Sequence, residues 1–98
     1  MKHELKTDGW VFDLSWRRKK PFEIRYDDRQ FMVGDELLLL ETTKTGEEIP
    51  NGAELAYTGR EISCKVLSKV KSTIENPKYG LAHGWCVLGV EEIGRGEV

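Results

Sequence analysis

Residues 17–26 of this chain read Arg17-Arg18-Lys19-Lys20-Pro21-Phe22-Glu23-Ile24-Arg25-Tyr26. Proline disfavours helix in the residue before it, so a helix that approaches from the N-terminal side has to end before Pro21. The five residues after the proline alternate apolar and charged side chains, which is the pattern of a β-strand. We therefore predict a helix before Pro21 and a strand from Phe22 to Tyr26. Ile24 is expected on its core face and Glu23 and Arg25 on the other.

The segment before residue 17 predicts a first strand followed by that helix. His3 to Lys6 alternates in the manner of a short edge strand, and Thr7 or Asp8 can cap a helix. From Trp10 to Arg18 the apolar residues lie four apart in two pairs, and we predict that they form one broad apolar face. These residues are Trp10, Phe12, Leu14 and Trp16.

Three more strands are predicted after Tyr26, at Glu36 to Thr42, Arg60 to Val66 and Trp85 to Val90. The first of them is almost continuously apolar, which indicates a strand in the interior of a sheet. Leu67 breaks the alternation of the second, so a bulge is expected there. The predicted fold class is mainly β with a short helix (α+β), a small curled β-barrel of about five strands. Closure of such a barrel leaves no unpaired edge strand exposed to other chains.

A chain of 98 residues suits a single domain, 1–98, with one core. Thr43 to Gly59 is long and polar, and we expect an extended excursion there. Residues 94–98 have little to anchor them and are expected to fray. The predicted core residues are Leu5, Phe12, Ile24, Leu37, Leu39, Ile62, Cys64, Val66, Val87 and Val90.

The charge balance excludes one function class. There are 15 Lys+Arg and 17 Asp+Glu residues, for a net charge of -2. A protein that coats nucleic acid through phosphate contacts alone would show a basic excess. The positive charge is concentrated at Arg17 to Lys20, in a segment up to Val33 that carries a small positive excess. Any contact with a polyanion is therefore expected at a local patch, although such a run is also typical of a solvated helix end.

Cys64 and Cys86 both lie among apolar neighbours and are predicted to be free thiols in the core. The start of the chain lacks the apolar stretch of an export signal, so we expect a reducing, cytoplasmic location. His83-x-x-Cys86 resembles half of a zinc site, but no Cys-x-x-Cys accompanies it. We predict no metal and no cofactor.

Several short blocks follow one another in an order that resembles a known superfamily. From about His3 to Val90 the chain is similar to the small ASCH-type, PUA-like domains. It is most similar to a domain-of-unknown-function family common in bacteriophages and bacteria, which for a phage protein implies the host cytoplasm. The blocks are His3-Glu4-Leu5-Lys6, Lys20-Pro21-Phe22-Glu23-Ile24-Arg25, Asp28-Arg29, Val33-Gly34-Asp35, Tyr57-Thr58-Gly59-Arg60-Glu61-Ile62 and Trp85-Cys86-Val87-Leu88-Gly89.

The resemblance implies a PUA-like β-barrel with a cleft between the first helix and the following strand. ASCH domains resemble RNA-binding modules and carry a pattern written G-x-K-x-x-E-x-R. Lys20, Glu23 and Arg25 match its Lys, Glu and Arg. This chain has Arg18 at the position of the Gly, and Pro21 where most relatives carry Thr. The turn before the motif is therefore expected to differ.

The residues alone allow two interpretations of this motif. A carboxylate between two cations is held ionised and oriented, so Glu23 could read the edge of a nucleobase while Lys20 or Arg25 meets phosphate or ribose. The alternative is an ion-pair network that only stiffens an exposed sheet face. Further candidates for ligand or RNA binding are Tyr26, for stacking, and Arg18 and Arg29, for phosphate.

Three functions follow from these observations. The first is a module that binds RNA or a modified nucleotide through Lys20, Glu23 and Arg25. The second is an amidohydrolase acting on a modified nucleoside, with Lys20 and Glu23 as its catalytic residues. It is disfavoured because the relatives with that activity carry a nucleophilic Thr where this chain has Glu23. The third is a phage accessory protein that binds a host protein through residues 43–59.

Overall fold

The computed structural model describes residues 1–43 and 56–97. The prediction of a mainly β fold with one short helix is confirmed. The strands predicted at residues 22–26 and 36–42 have the predicted bounds. In chain order the elements are β1 (Lys2–Asp8), α1 (Gly9–Trp16), β2 (Phe22–Tyr26), β3 (Glu36–Thr42), β4 (Tyr57–Lys71) and β5 (Trp85–Glu97).

The strands form one sheet in the order β1-β3-β4-β5-β2. β1 runs parallel to β3, and the other neighbours are antiparallel. The apolar β3 lies inside the sheet, as its composition predicts. The sheet curls into a half-barrel, so that its two edge strands come close to each other. Arg25 on β2 reaches across this gap and its Nη1 donates to the Lys6 carbonyl on β1 at 3.1 Å. A side chain bridges the gap between the two edges.

The long strands β4 and β5 extend further than their sequences suggest. Their register shifts between Val66 and Ser68, where the bulge at Leu67 was predicted. β5 continues to Glu97, opposite Arg60, so the expectation of a frayed tail is wrong for residues 94–97. The backbone ladder with β4 holds this segment without an apolar anchor. Residues 57–59, assigned to the polar excursion, begin β4, while residues 44–55 lie outside the described part of the chain.

The core lies on the concave face of the sheet, and the predicted core needs correction at β2 and β5. Ile24 is 49% exposed and Val87 is only half-buried, whereas Val90 is partly buried and packs against the core. Ile24 pairs with Val87, so both side chains point away from the concave face on which Glu23 and its partner Leu88 lie. The buried hydrophobic residues are Leu5, Phe12, Phe31, Leu37, Leu39, Ile62, Cys64, Val66, Cys86 and Leu88.

The helix presents two apolar faces, where one had been predicted. Phe12 is buried in the core, and Trp16 stacks on it with the ring centroids 5.8 Å apart. Trp10 is 69% exposed, so the expectation that it belongs to a core face is wrong. The helix has eight residues and packs mainly against β1 and β3, while Arg60 on β4 and Arg95 on β5 contact the Trp16 ring. The side that turns away from these strands is left open.

The turn after the helix places a non-glycine residue in a conformation that favours glycine. Arg18 adopts a left-handed conformation with φ 58°. The Lys19 N–H donates to the Leu14 carbonyl at 2.8 Å, and the Arg18 N–H donates to the Ser15 carbonyl at 3.0 Å. These bonds satisfy the last carbonyls of the helix in the manner of a Schellman motif. The turn delivers Lys20 to the start of β2.

Within the described residues, no helix is long and apolar enough to cross a membrane.

Candidate functional site

A cleft of about 580 Å³ lies between α1 and the edge strands β1 and β2. One wall is the outer face of the helix, with the exposed Trp10, and β2 contributes Phe22 and Ile24. Charged and hydroxyl side chains lie between these apolar walls. The lining residues are Lys6, Thr7, Asp8, Trp10, Val11, Leu14, Lys20, Phe22, Glu23, Ile24 and Arg25. An apolar cleft with a few convergent polar groups is the usual form of a small-molecule site.

The motif residues Lys20, Glu23 and Arg25 converge in this cleft. Glu23 is 2% exposed and occupies an inward position of β2. Its Oε2 accepts a hydrogen bond from the Lys20 ammonium, and its Oε1 accepts one from Arg25 Nη2 at 3.1 Å. The Lys20 ammonium also donates to the Phe22 carbonyl at 2.7 Å. The expectation that Glu23 lies on an exposed sheet face is wrong, because the curl of the sheet covers that face.

Arg25 has a second role that its position in the motif does not reveal. Its guanidinium donates to the Lys6 carbonyl at 3.1 Å and to Thr7 Oγ1 at 3.0 Å, in addition to Glu23. Both acceptors lie on β1, so Arg25 ties the two edges of the half-barrel together. Arg25→Ala would therefore disturb the fold as well as the cleft, and it is a poor probe of binding alone.

Two residues of the site were not predicted for it. Trp10 is predicted only as part of the apolar face of the helix, because helical spacing identifies such a face without showing what covers it. Thr7 was considered only as a helix cap, yet its side chain is buried and contacts Arg25. Its inward position follows from the alternation of β1, in which His3, Leu5 and Thr7 are buried.

Tyr26 and Arg29 lie in a neighbouring cleft of about 680 Å³ on the other side of Arg25. Arg29 is exposed, and its Nη1 donates to the Glu4 carbonyl at 2.7 Å. The Tyr26 ring meets the Trp85 ring edge-on, with the centroids 6.0 Å apart. The structure thus places these two candidates beside the motif, with Arg25 as the shared wall.

Arg18 lies apart from both clefts. Its guanidinium contacts Glu92 at 3.2 Å on the rim of a smaller cavity of about 220 Å³, which Lys20 also lines. The side-chain oxygen of Ser15, which lines the same cavity, is buried without a hydrogen-bond partner among the described residues. The six candidate residues therefore divide into the motif itself, a neighbouring pair and one outlying arginine.

Both cysteines are free and buried, as predicted. Burial raises the pKa of the Cys64 thiol to about 11, with the negative charges of Glu23 and Glu92 adding to the effect. Burial likewise raises the pKa of Cys86. Thiols with raised pKa values stay protonated near neutral pH and are poor nucleophiles. In residues 1–43 and 56–97, no group of three His, Cys, Asp or Glu side chains is placed to hold a metal ion.

Three other carboxylates are buried with hydrogen-bond partners. Asp27 contacts Lys69 at 2.8 Å and Lys71 at 2.9 Å. Burial raises the pKa of Asp27, but the hydrogen bonds from these lysines outweigh it and leave the pKa lowered. Asp35 lies 2.9 Å from the His3 ring, and Glu41 lies 2.7 Å from Arg60. None of these three lines the cleft of Glu23.

Comparison with known proteins places the chain in a family. The model of a family described as a domain of unknown function, DUF3850, matches residues 2–90. No curated protein matches the chain.

Proposed function

The chain belongs to the DUF3850 family, and from the geometry of its cleft we propose that it binds a nucleotide, either free or within RNA. The site is the cleft of Lys20, Glu23 and Arg25. We also propose that the family is related to the ASCH-type, PUA-like domains. The curled sheet, the early helix and the convergence of the three motif residues support that relationship.

One observation carries the proposal. A carboxylate that is 2% exposed lies between the apolar walls of the cleft, held there by two cations. Buried ion networks contribute little net stability compared with apolar side chains of the same volume. Ligand recognition therefore explains better than stability why an ion network lies at a cleft of about 580 Å³.

The geometry suggests how a nucleotide would bind. Each oxygen of Glu23 accepts one hydrogen bond from the described residues and has a second lone pair. That capacity suits N–H donors on the edge of a base. Trp10 offers an exposed indole face on the wall, where a base can stack. Lys6 lies at the rim, within reach of a phosphate.

The test measures binding of the four common nucleoside monophosphates by isothermal titration calorimetry at low salt. The double variant Lys20→Met/Glu23→Gln keeps the volume of the two side chains and an acceptor for Arg25. It removes the charges of Lys20 and Glu23. We expect binding by the wild type and a loss of at least tenfold in the variant, because a charged hydrogen bond contributes about 1.5–3 kcal/mol.

Trp10→Ala provides a second variant that leaves the ion network intact. Because the side chain is 69% exposed, we expect an unchanged thermal midpoint and an affinity roughly tenfold lower. Its matched control is Tyr79→Ala, which removes an aromatic ring that is 91% exposed and lies outside the clefts described above. The proposal would be refuted if the wild type bound no nucleotide. It would also be refuted if Trp10→Ala and Tyr79→Ala lost affinity equally.

The same samples distinguish binding from catalysis. Acylated cytidine is incubated with the wild type and analysed by liquid chromatography. The proposal predicts that the nucleoside is recovered intact. Release of cytidine that disappears in Lys20→Met/Glu23→Gln would assign the cleft to hydrolysis instead.

A further inference from the structure

The cleft of Glu23 and the cleft of Tyr26 are two parts of one groove. Both are lined by Lys6, Ile24 and Arg25, which form a ridge between them. The groove follows the gap between the edge strands β1 and β2. Its two parts have volumes of about 580 and 680 Å³, so the nucleotide site continues past Arg25 into a space of similar size.

The second part is lined by exposed aromatic rings. Tyr26 is 53% exposed, and Tyr57 and Trp85 also line it with substantial exposure. The Tyr26 ring is held in place by its edge contact with Trp85 and by Gly84 beneath it, where an added Cβ would lie 2.7 Å from the tyrosine ring. These rings are preorganised platforms for stacking.

The charges of this part are few and mixed. Lys6, Arg25 and Arg29 line it together with the carboxylates of Glu4 and Asp28. Lys6 and Arg29 are exposed, whereas Arg25 is engaged by β1 and Glu23. Two accessible cations suit contact with about two phosphates of one strand.

The edge of β1 is already occupied at this groove. The Lys6 carbonyl accepts a hydrogen bond from Arg25, and the Glu4 carbonyl accepts one from Arg29. A peptide strand that added to this edge would have to displace both arginines. Bases that stack on aromatic rings need no such displacement, so the groove favours nucleic acid over peptide.

We propose that the groove binds a short single-stranded oligonucleotide across Arg25, with one base in the cleft of Glu23 and the next against Tyr26. This rests on the proposed function and extends it from a mononucleotide to a strand. The outward positions of β2, from Phe22 to Tyr26, span about 13 Å by strand rise, enough for about two or three unpaired nucleotides. A duplex cannot present its bases in this way.

The test compares ligand lengths by fluorescence anisotropy. The probes are fluorescein-labelled random-sequence hexanucleotides, one pool of RNA and one of DNA, with a perfectly paired hairpin as the duplex control. Unlabelled mononucleotides compete in the same assay. We expect a hexanucleotide of at least one sugar type to bind at least tenfold more tightly than the best mononucleotide. Its log-affinity should fall with log salt with a slope of about -1.4.

Tyr26→Ala separates the two parts of the groove. We expect it to weaken hexanucleotide binding roughly tenfold and to leave mononucleotide affinity unchanged, while Tyr26→Phe keeps both. Circular dichroism verifies the fold of each variant. Tyr57→Ala repeats the test at a second ring, and Tyr79→Ala is the control for loss of an exposed ring elsewhere.

The outcomes distinguish this inference from the proposed function. Equal affinity for mononucleotides and hexanucleotides, or no effect of Tyr26→Ala and Tyr57→Ala on the hexanucleotide, overturns the groove and leaves the mononucleotide site. An effect of Tyr26→Ala without any effect of Lys20→Met/Glu23→Gln supports the groove and overturns the motif site. Tight binding of the paired hairpin overturns the requirement for a single strand.

Discussion

Glu23 on β2 and Glu41 on β3 are both buried carboxylates that pair with cations. They differ in whether the pair lies at a cleft. Glu23 is held between Lys20 and Arg25 at a cleft. Glu41 is held by Arg60 and lines none of the three clefts found in the described part of the chain. A buried ion pair by itself therefore does not identify a site.

The network of Glu41 is closed in the sense that its buried carboxylate accepts three hydrogen bonds and lines none of the clefts described above. Arg60 Nε and Nη2 donate to the two carboxylate oxygens at 2.8 and 2.7 Å, and the Thr58 hydroxyl donates at 2.6 Å. The Arg60 guanidinium lies 5.4 Å from the Phe12 ring centroid and 4.9 Å from that of Trp16. The pair thus connects β3 and β4 to the helix, and stacking with the aromatic rings adds to its stability.

The difference lies in what each pair stabilises. Bidentate geometry and two ring contacts offset the cost of burying the charges at Glu41. At Glu23 each oxygen takes a single donor among the described residues, and the residue lines the cleft. We interpret the first network as a structural tie and the second as a recognition surface.

Replacing the carboxylate and one cation of each network tests this comparison most severely. Arg60→Met/Glu41→Gln loses two charge-assisted hydrogen bonds and both ring contacts, so we expect the free energy of unfolding to fall by about 3 kcal/mol. Lys20→Met/Glu23→Gln removes the Lys–Glu pair, which contributes little net stability, and leaves Arg25 with an amide acceptor and its two acceptors on β1, so we expect a change within about 1 kcal/mol. Urea denaturation measures both values.

Asp13→Ala is the control for the loss of an exposed pair. Its partner Arg17 is 61% exposed, and removing such a pair should change stability only slightly. Equal losses in the two double variants would contradict the distinction between a structural tie and a recognition surface. A larger loss at Lys20 and Glu23 would reverse it.

Acid denaturation measures the closed network in a second way. The hydrogen bonds from Arg60 lower the pKa of Glu41 below its ordinary 4.5; burial opposes this, and Thr58 lowers the pKa further. Because the folded-state pKa is depressed, the stabilisation is complete above pH 4.5 and is lost as the pH falls through the folded value. We expect Glu41→Gln to flatten the decline of stability below pH 4.5 by up to about 1.4 kcal/mol per pH unit.

Asp35 provides the reference for that experiment. The hydrogen bond from His3 lowers its pKa from 3.8 to about 2, with the Met1 amine and the Met32 N–H adding to the effect. Its contribution is therefore lost between about pH 4 and pH 2, and Asp35→Asn should flatten the curve there. A decline in Glu41→Gln as steep as in the wild type would show that the ionised Glu41 does not stabilise the fold.

The succession of elements along the chain and the composition of the motif were accessible from the sequence because both are local. Pro21 marks the end of the helical region, and the alternation of Phe22 to Tyr26 identifies a strand with its correct bounds. The motif spacing identifies Lys20, Glu23 and Arg25 as one group. Local pattern does not reveal which face of an edge strand the sheet will enclose.

That missing information explains the errors at Ile24 and Trp10. Alternation gives two faces for β2, and hydrophobicity favours burying Ile24, yet the curl of the sheet encloses Glu23. The cost of burying this carboxylate is offset by cations from the preceding turn and from the same strand. Trp10 is exposed because the helix has neighbours on one side only, which depends on the parallel pairing of β1 with β3.

The smallest expected effect concerns the turn that delivers Lys20 to the recognition surface. Arg18 has φ 58°, a conformation that costs a non-glycine residue about 1 kcal/mol, and its pair with Glu92 is exposed. Arg18→Gly should raise the free energy of unfolding by about 0.5 kcal/mol, after the greater flexibility of the unfolded chain is counted. Arg18→Ala loses the same ion pair without relieving the backbone, so it should be about 1 kcal/mol less stable than Arg18→Gly. Equal stabilities would mean that the turn is not left-handed in solution.

Because the Arg18 guanidinium lies outside the cleft of Glu23, both variants should bind nucleotide like the wild type. Weaker binding in both variants would show that Arg18 belongs to the recognition surface together with Glu23.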